Sequence, residues 1–289
     1  MPKRNKSIER ILIIGGSGYL GRALYREFQS FYEAFGTFCY PDEFWENHGA
    51  FYNYNSTKDP LTPILESLAP SHVIVSMWSA HDAGLAAMEE LVQYAYVHKT
   101  HITLLSNVMV FDAVDQHPSQ PKHRQQSLTQ TGKYFIDLEK LIQKLPDDQW
   151  LIARLAMVIG INSPVVQDIK MKLAQDEPIE VFPNLIVSAT TRDMVVKQLH
   201  YLINRKACGI LHCASTDLIH HIDLVTEICS LLGRERPRLT HVYNSNKETY
   251  LALMSSEEKW PSHLQISIHE VITQGTLSHI ETTKSLLKS

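Results

Sequence analysis

The sequence has few cysteines, no surplus of positive charge and no long apolar run. Four cysteines in 289 residues are too few for a disulfide framework, and they predict reduced, mostly buried thiols in a cytoplasmic protein. The net charge of −4, from 27 basic and 31 acidic residues, argues against nucleic acid as a partner. The apolar runs are far shorter than the ~20 residues of a membrane helix, so no membrane association is expected.

Short apolar segments alternate with helical patterns through the first half of the chain, which predicts a parallel sheet in an α/β fold. The run Ile11–Ile14 is apolar throughout, as expected of a strand that is buried on both faces. Leu20, Leu24, Phe28 and Phe31 follow at helical spacing and predict one buried stripe. The other predicted strands are 35–40, 73–77, 102–105, 150–155 and 209–213, and the other main predicted helices are 61–68, 83–97, 135–145 and 222–232.

A glycine-rich turn, Gly15–Gly21, connects the first strand to the first helix. In a dinucleotide-binding unit one glycine permits the tight turn, a second lets the backbone approach a pyrophosphate, and a third lets the helix pack on the sheet. Gly15, Gly18 and Gly21 occupy these positions. The free N–H groups at the start of the helix would then face the phosphates. This context favours a dinucleotide site over the alternative, an ordinary tight turn.

The choice between NAD and NADP stays open. A carboxylate that binds the ribose is expected at the end of the second strand, ~20 residues after the turn, but Cys39 and Tyr40 stand there. Asp42 lies just beyond and is the alternative. No lysine or arginine occurs between residues 37 and 45 to hold a 2′-phosphate. The predicted cofactor is therefore NAD or NADP.

Two stretches carry a family resemblance. Residues 15–21 read Gly-Gly-Ser-Gly-Tyr-Leu-Gly, and residues 106–113 read Ser-Asn-Val-Met-Val-Phe-Asp-Ala. The first resembles the Gly-x-x-Gly-x-x-Gly turn of the extended short-chain dehydrogenases/reductases, and the second resembles the Ser-Thr-Asp-Tyr-Val-Phe-Asp-Gly stretch of the dTDP-4-dehydrorhamnose reductases. Segments 150–160 and 209–212 are similar to later strands of that family. The resemblance covers most of residues 8–232.

The resemblance implies a Rossmann fold, a doubly wound parallel sheet, with a smaller α/β substrate-binding subdomain. The NAD(P)-binding domain would span residues 1–160, and the subdomain mainly 161–289, with 187–205 returning to the first domain. The implied substrate is a nucleotide-linked sugar. By position, Gly15, Ser17, Gly18, Tyr19 and Leu20 would cradle the pyrophosphate, Asn55 would contact the adenine, and Ser76, Met77 and Trp78 would line the cofactor.

The positions of the family's catalytic residues hold other side chains. The family uses a Ser/Thr and a Tyr-x-x-x-Lys pair, in which the phenol donates a proton and the lysine lowers the phenol pKa. By position, Asn107 replaces the Ser/Thr, Thr131 the tyrosine and Phe135 the lysine. Tyr134, on the same helix, and His81, after the Ser76 strand, are the substitute acids. Asn107, Tyr134 and His81 are thus the predicted catalytic residues, with a solvent-facing histidine as the alternative for His81.

Two other groups of polar residues contain side chains that could bind a ligand or a metal. Segment 112–131 is polar and aperiodic, and a loop of ~20 residues is usually a lid, a binding loop or disordered. Its cationic residues predict a solvated surface, or a clamp for a substrate diphosphate; they are His117, Lys122, His123 and Arg124. A second group lacks zinc-site spacing, because four residues separate its two cysteines and strand alternation separates His212 from Cys213, so no metal is predicted; the group is Cys208, His212, Cys213, His220 and His221.

These patterns leave two main functional hypotheses, with a nucleotide-sugar binder that has no redox role as a third. The first is an atypical NAD(P)-dependent oxidoreductase that acts on a nucleotide-linked sugar. The second is a catalytically silent relative that binds the cofactor and serves as a regulatory or scaffold subunit. In either case a homodimer or another protein partner is possible, because a helical pattern around Leu277, Ile280 and Leu286 could pack on the core or on a partner.

Overall fold

The computed structural model describes residues 9–40, 42–77, 81–254 and 260–277. The strands are β1 (Arg10–Ile14), β2 (Glu33–Phe38), β3 (Phe51–Asn53), β4 (His72–Val75), β5 (His101–Asn107), β6 (Trp150–Leu155), β7 (Met157–Ile159), β8 (Ile179–Val181), β9 (Leu185–Val187), β10 (Ala189–Thr191), β11 (Gly209–Cys213), β12 (Ile219–His220), β13 (Leu239–His241) and β14 (Thr249–Leu251). The helices are α1 (Tyr19–Phe28), α2 (Glu43–Glu46), α3 (Thr62–Leu68), α4 (His81–His98), α5 (Gln130–Ile142), α6 (Pro164–Ala174), α7 (Arg192–Asn204), α8 (His221–Leu231) and α9 (Ile268–Leu277), with 3₁₀ turns at Val108–Phe111 and Ser262–Leu264.

A seven-stranded sheet has the order β11-β6-β5-β4-β1-β2-β3. The pairs β1–β2, β1–β4, β2–β3 and β4–β5 are parallel. The strand order reverses between β1 and β4, so this is the doubly wound Rossmann arrangement, with its ligand crevice expected at the carboxyl ends of these two strands. The predicted fold class is confirmed. All four residues Ile11–Ile14 are buried, as their continuous apolar run predicts.

The chain divides into two compact units. The first lies within Met1–Ser106, Tyr134–Ala153 and Leu199–Ile210, and the second within Asn107–Lys133, Arg154–Gln198 and Leu211–Ser289. The second unit contains the pair β7–β10, the pair β8–β13 and the three-stranded sheet β12-β9-β14. Its buried core includes Val166, Val181, Leu224, Ile228 and Val271. The division at residue 160 inferred from the resemblance stays a prediction.

Two details differ from the sequence-based expectations, and a third prediction lies outside the described residues. Phe31 lies beyond the end of α1 and is 62% exposed, because the chain leaves helical geometry before completing the predicted stripe. Cys213 and Cys229 are buried as expected, whereas Cys39 and Cys208 are exposed. The pattern around Leu277, Ile280 and Leu286 extends beyond Leu277, the last residue that the structure describes.

Segment 112–131 has a defined conformation within the second unit. The Asp112 carboxylate accepts hydrogen bonds from Ser127 Oγ at 2.7 Å and Leu128 N at 2.7 Å. The Ser119 N–H donates to the Ala252 carbonyl at 2.8 Å. These bonds satisfy backbone groups that a free loop would leave to water. Of the three alternatives for this segment, disorder is therefore wrong.

Helix α3 is capped by a side chain from α4. One oxygen of Glu90 accepts from Leu61 N at 2.8 Å, Thr62 N at 3.1 Å and Thr62 Oγ1 at 3.0 Å. A carboxylate here accepts hydrogen bonds from N–H groups that have no partner within the helix, and its negative charge interacts favourably with the positive end of the helix dipole. We expect Glu90→Ala to lower the free energy of unfolding by about 1–2 kcal/mol. Chemical denaturation measures this loss of stability, with Glu89→Ala as the control because Glu89 is exposed. Equal losses of stability in the two variants would contradict the capping role of Glu90.

Candidate functional site

The turn after β1 is built by backbone geometry that only glycine permits. Gly15 has φ +83°, in the left-handed region where a side chain is strained. Its N–H donates to Thr37 Oγ1 on β2 at 2.9 Å, and the Ser17 N–H donates to the Thr37 carbonyl at 3.1 Å. Thr37 therefore fixes the turn from the neighbouring strand. Thr37 was not predicted from the sequence, where its only signal is a hydroxyl within an apolar strand.

The first turn of α1 is left open to a ligand. Gly18 is the N-cap residue, with φ −72° and ψ 174°, and no side chain accepts a hydrogen bond there. The first turn contains no acidic residue. A Cβ on Gly21 would lie 2.1 Å from the Gly15 carbonyl oxygen, so this glycine brings the helix against the turn. An uncapped helix N-terminus offers N–H donors and a positive dipole end to an anion, which suits a pyrophosphate.

The polar residues expected near an adenosine are engaged in local structure. Asp42 caps α2, since its carboxylate accepts from Phe44 N at 2.9 Å. Asn55 Oδ1 accepts from Thr57 N at 3.0 Å and from Thr57 Oγ1 at 2.7 Å. Tyr40, beside the end of β2, is 83% exposed. Asp42, the carboxylate expected to bind the ribose, thus has a structural role as a helix cap.

The residues after β4 reach the same edge of the sheet. Ser76 and Met77 are partly buried, and the Ser76 N–H donates to the Ile14 carbonyl at 2.9 Å. The backbone of Met77 would contact a Cβ on Gly15 at 3.0 Å, so this segment packs directly against the turn. Trp78, the third residue expected to line a cofactor, lies outside the described residues.

Tyr134 points into the first unit instead of toward solvent. The residue is 3% exposed, and its hydroxyl oxygen lies only 2.1 Å from the position that a Cβ on Gly84 would occupy. Its ring helps to enclose a small apolar pocket at the carboxyl ends of β1 and β4. The other lining residues are Ile14, Leu61, Val75, Met77, Gly84, Ala87, Met88, Leu91 and Leu138. The phenol thus packs against α4, and the glycine on that helix makes room for it.

The other positions of the expected catalytic set hold groups with structural roles. Asn107 Oδ1 accepts from Met109 N at 2.9 Å and caps the 3₁₀ turn that follows β5. Phe135, at the position of the lysine, is buried. Ser106 Oγ donates to the carboxylate of Glu139, and both residues are buried. This pair was not predicted from the sequence, because the two residues come from β5 and α5, 33 positions apart in the chain.

His81 stands at the start of α4 between two carboxylates. Its Nδ1 lies 3.2 Å from Asp82 Oδ1, and its Nε2 lies 3.8 Å from Asp137 Oδ2. The ring is 5.6 Å from that of Tyr134, and the side chain is 46% exposed. His81 is therefore an accessible imidazole held beside the buried phenol.

Within the described residues, the other histidine and cysteine groups do not assemble a metal site. No group of three or more His, Cys, Asp or Glu residues suited to a metal occurs within the described ranges. His212 Nδ1 lies 3.0 Å from the Met254 carbonyl, in the second unit. In the 112–131 segment the rings of His117 and His123 lie 4.9 Å apart, and His123 Nδ1 accepts from Gln120 N at 3.1 Å. The diphosphate clamp suggested for this segment stays a prediction.

The contact between Gly84 and Tyr134 gives a direct test of the buried phenol. We expect Gly84→Ala to lower the free energy of unfolding by about 1–3 kcal/mol, because the new methyl group would overlap the phenol. Thermal or chemical unfolding measures the loss. In a Tyr134→Leu background the same change should cost less than half as much. Equal losses in the two backgrounds would contradict this placement of Tyr134.

No helix in the described part of the chain combines the length and apolar character needed to cross a membrane.

Comparison with known proteins gives one family and a set of similar folds. The model of the family described as the RmlD substrate binding domain matches residues 77–265. No curated protein sequence matches the chain.

Solved structures with the same fold include two reductases and a dehydratase. A Bacillus anthracis dTDP-4-dehydrorhamnose reductase in complex with NADP has a TM-score of 0.76 at 15% identity, over 94% of this chain and 100% of that chain. The Yersinia enterocolitica dTDP-4-dehydrorhamnose reductase has a TM-score of 0.74 at 17% identity, over 92% and 98%. A Bacillus anthracis dTDP-glucose 4,6-dehydratase in complex with NAD has a TM-score of 0.73 at 10% identity, over 96% and 98%.

Proposed function

The chain belongs to the RmlD substrate binding domain family, and from this premise we propose that it binds NAD or NADP at the Gly15–Gly21 turn without carrying out the family's reduction. Its second ligand would be a nucleotide-linked sugar, the class named for the reductases of similar fold. The observation that carries the cofactor proposal is the uncapped N-terminus of α1, held against β1 by Gly15 and Gly21. This is the geometry that a pyrophosphate requires.

Three features support binding without reduction. A reductase of this type needs a group that can give a proton to the carbonyl as it accepts hydride. Thr131 and Phe135 replace the phenol and the cation of the family pair, and an alcohol and a phenyl ring supply neither an acid near neutrality nor a charge. Tyr134 is buried against Gly84, and Asn107 caps a turn. The chain would then bind its cofactor and act as a regulatory or scaffold subunit without catalysing a reaction.

One observation favours a second candidate, an atypical oxidoreductase. His81 is accessible, and Asp82 and Asp137 hold it at the start of α4, close to the edge of the sheet where the cofactor would lie. An imidazolium there could donate the proton that the family takes from tyrosine. In this candidate His81 would be the acid, and Tyr134, whose ring lies 5.6 Å from the imidazole, would help to shape its surroundings.

Fluorescence titration with NADH and NADPH tests the cofactor proposal. We expect saturable binding by the wild-type protein and a loss of at least about tenfold in affinity for Gly18→Glu, which places a carboxylate where the phosphates would lie. Gly49→Glu is the matched control, since a Cβ there meets no atom within 4 Å. Binding that survives Gly18→Glu, or that is absent from the wild type, would contradict the proposal.

A turnover assay separates the two candidates. The silent subunit should leave NADH and NADPH unoxidised in the presence of dTDP-4-dehydrorhamnose. Oxidation that His81→Gln abolishes while binding persists would instead establish the atypical oxidoreductase.

A further inference from the structure

Residues 115–123, called the strap here, are docked by backbone hydrogen bonds on β14 and the residues that follow it. The bonds are Tyr250 N to the Asp115 carbonyl at 3.0 Å, Ser119 N to the Ala252 carbonyl at 2.8 Å and Met254 N to the Ser119 carbonyl at 2.9 Å. The strap therefore pairs locally like a short edge strand. A segment held by a few peripheral bonds can open while the core of its unit stays folded.

His123 fastens the end of the strap through a bond that only a neutral imidazole can make. Its Nδ1 accepts a hydrogen bond from the Gln120 N–H at 3.1 Å, and its own backbone N–H donates to the Gln120 carbonyl at 3.0 Å. A backbone N–H can only donate, so Nδ1 must present a lone pair. An imidazolium carries N–H groups on both ring nitrogens and has no acceptor. Protonation of His123 therefore breaks this bond and leaves two donors facing each other.

The surroundings of the strap add to the cost of positive charge there. His212, on β11, is 1% exposed, and its Nε2 has no hydrogen-bond partner among the described residues. Burial lowers the pKa of His212, and the neighbouring Arg154 and His123 lower it further, so these three basic groups lie close together. The basic groups around the strap come from the segment itself, β11 and β6; they are His117, Lys122, His123, Arg124, His212 and Arg154, whose Nη1 donates to the Pro121 carbonyl at 3.1 Å.

We infer that the strap is a proton-driven latch, docked on the second unit at neutral pH and released as the pH falls toward 5. The docked strap keeps His123 neutral, whereas release frees its Nδ1 and lets it take up a proton from water. A proton that binds only to the open form favours that form by about tenfold per pH unit below the pKa of the open form. The inference concerns the second unit and does not rest on the proposed cofactor site.

Hydrogen–deuterium exchange followed by mass spectrometry tests the latch. The fraction of time for which the strap is open is obtained at pH 7 and pH 5.5 from its peptide, after correction for the intrinsic exchange rate at each pH. One histidine with an ordinary open-form pKa of ~6.5 gives a rise of about eightfold between these values, so we expect at least this rise in the wild type. His123→Gln keeps a side-chain oxygen that can accept from Gln120 N but does not titrate. Its rise should be about eightfold smaller than that of the wild type.

His117→Gln is the matched control. The ring of His117 lies 4.9 Å from that of His123, but its Nδ1 faces the Pro118 carbonyl at 3.2 Å, an acceptor that a protonated ring also satisfies. This variant should keep the wild-type rise to within about twofold. Wild-type exchange at pH 7 in the peptide that spans α8 shows that the second unit of each variant is folded. Equal rises in the wild type and His123→Gln, or no rise in the wild type, would overturn the inference.

Discussion

Gly21→Ala is expected to lower the free energy of unfolding by about 2–3 kcal/mol and to abolish measurable NADH binding. The new Cβ would lie 2.1 Å from the Gly15 carbonyl oxygen and 2.8 Å from Gly16 Cα. Both neighbours are backbone atoms, so no side-chain rotation can relieve the overlap. The helix must then move away from the turn, and its N–H groups leave the position in which a pyrophosphate would meet them.

Gly49→Ala is the control for this prediction, because a Cβ at Gly49 meets no atom within 4 Å. It should retain wild-type stability to within about 0.5 kcal/mol, as surface changes usually do. Chemical denaturation gives the stability, and NADH fluorescence gives the binding. A Gly21→Ala protein that binds NADH with unchanged affinity would show that close packing of α1 on the turn is not required.

Acidification is expected to destabilise both compact units through buried histidines. Burial and, to a smaller extent, the neighbouring Arg154 and His123 together lower the pKa of His212, in the second unit, to about 3. In the first unit, burial and then the neighbouring His101 hold the pKa of His72 well below its usual value. His72 Nε2 lies 2.8 Å from Thr103 Oγ1, and the His72 and His101 rings lie 4.7 Å apart.

The direction of the pH effect follows from these lowered values. The folded protein keeps the two imidazoles neutral, whereas the unfolded chain takes up protons once the pH falls below about 6.5. The contribution of these histidines to stability is therefore fully present above pH 6.5, and it is lost as the pH falls toward their pKa values in the folded protein. Below pH 6.5 each histidine should lower the free energy of unfolding by about 1.4 kcal/mol per pH unit. The loss at pH 5 is therefore about 2 kcal/mol for each histidine.

Urea denaturation of the wild type at several pH values between 7 and 5 measures this loss. His212→Asn retains a donor for the Met254 carbonyl and should reduce the slope by about 1.4 kcal/mol per pH unit, whatever its stability at pH 7. His263→Gln changes an exposed histidine and should keep the wild-type slope. A wild-type stability that is the same at pH 7 and pH 5 would refute the prediction.

Several elements were predictable because their signals are local. The continuous apolar run of β1, the Gly15–Gly21 turn and the alternation of strands and helices predicted the parallel sheet, and the sheet is confirmed. Gly233, after α8, has φ +87°, the left-handed conformation that glycine favours just past a helix. Thr191 Oγ1 accepts from Met194 N at the start of α7, a capping contact typical of threonine. In each case the residues that interact are only a few positions apart.

The burial and the partners of the side chains in the candidate site depend on contacts between segments that are distant in the sequence. Asn107, Tyr134 and His81 stay predictions as catalytic residues, but the structure gives each a specific setting. Tyr134 meets Gly84 of another helix, and the Asp137 carboxylate beside His81 comes from α5. No periodicity or spacing in the sequence reports such pairs.

The sequence by itself determined the Rossmann sheet and the position of its glycine-rich turn, because backbone conformation and hydrophobic periodicity are set by neighbouring residues. Only the tertiary structure decided which polar groups have other partners: Asp42 caps α2, Ser106 pairs with Glu139, and the Tyr134 phenol is buried against α4. The physical reason is that a side chain's accessibility and hydrogen-bond partners are properties of packing between segments far apart in the chain.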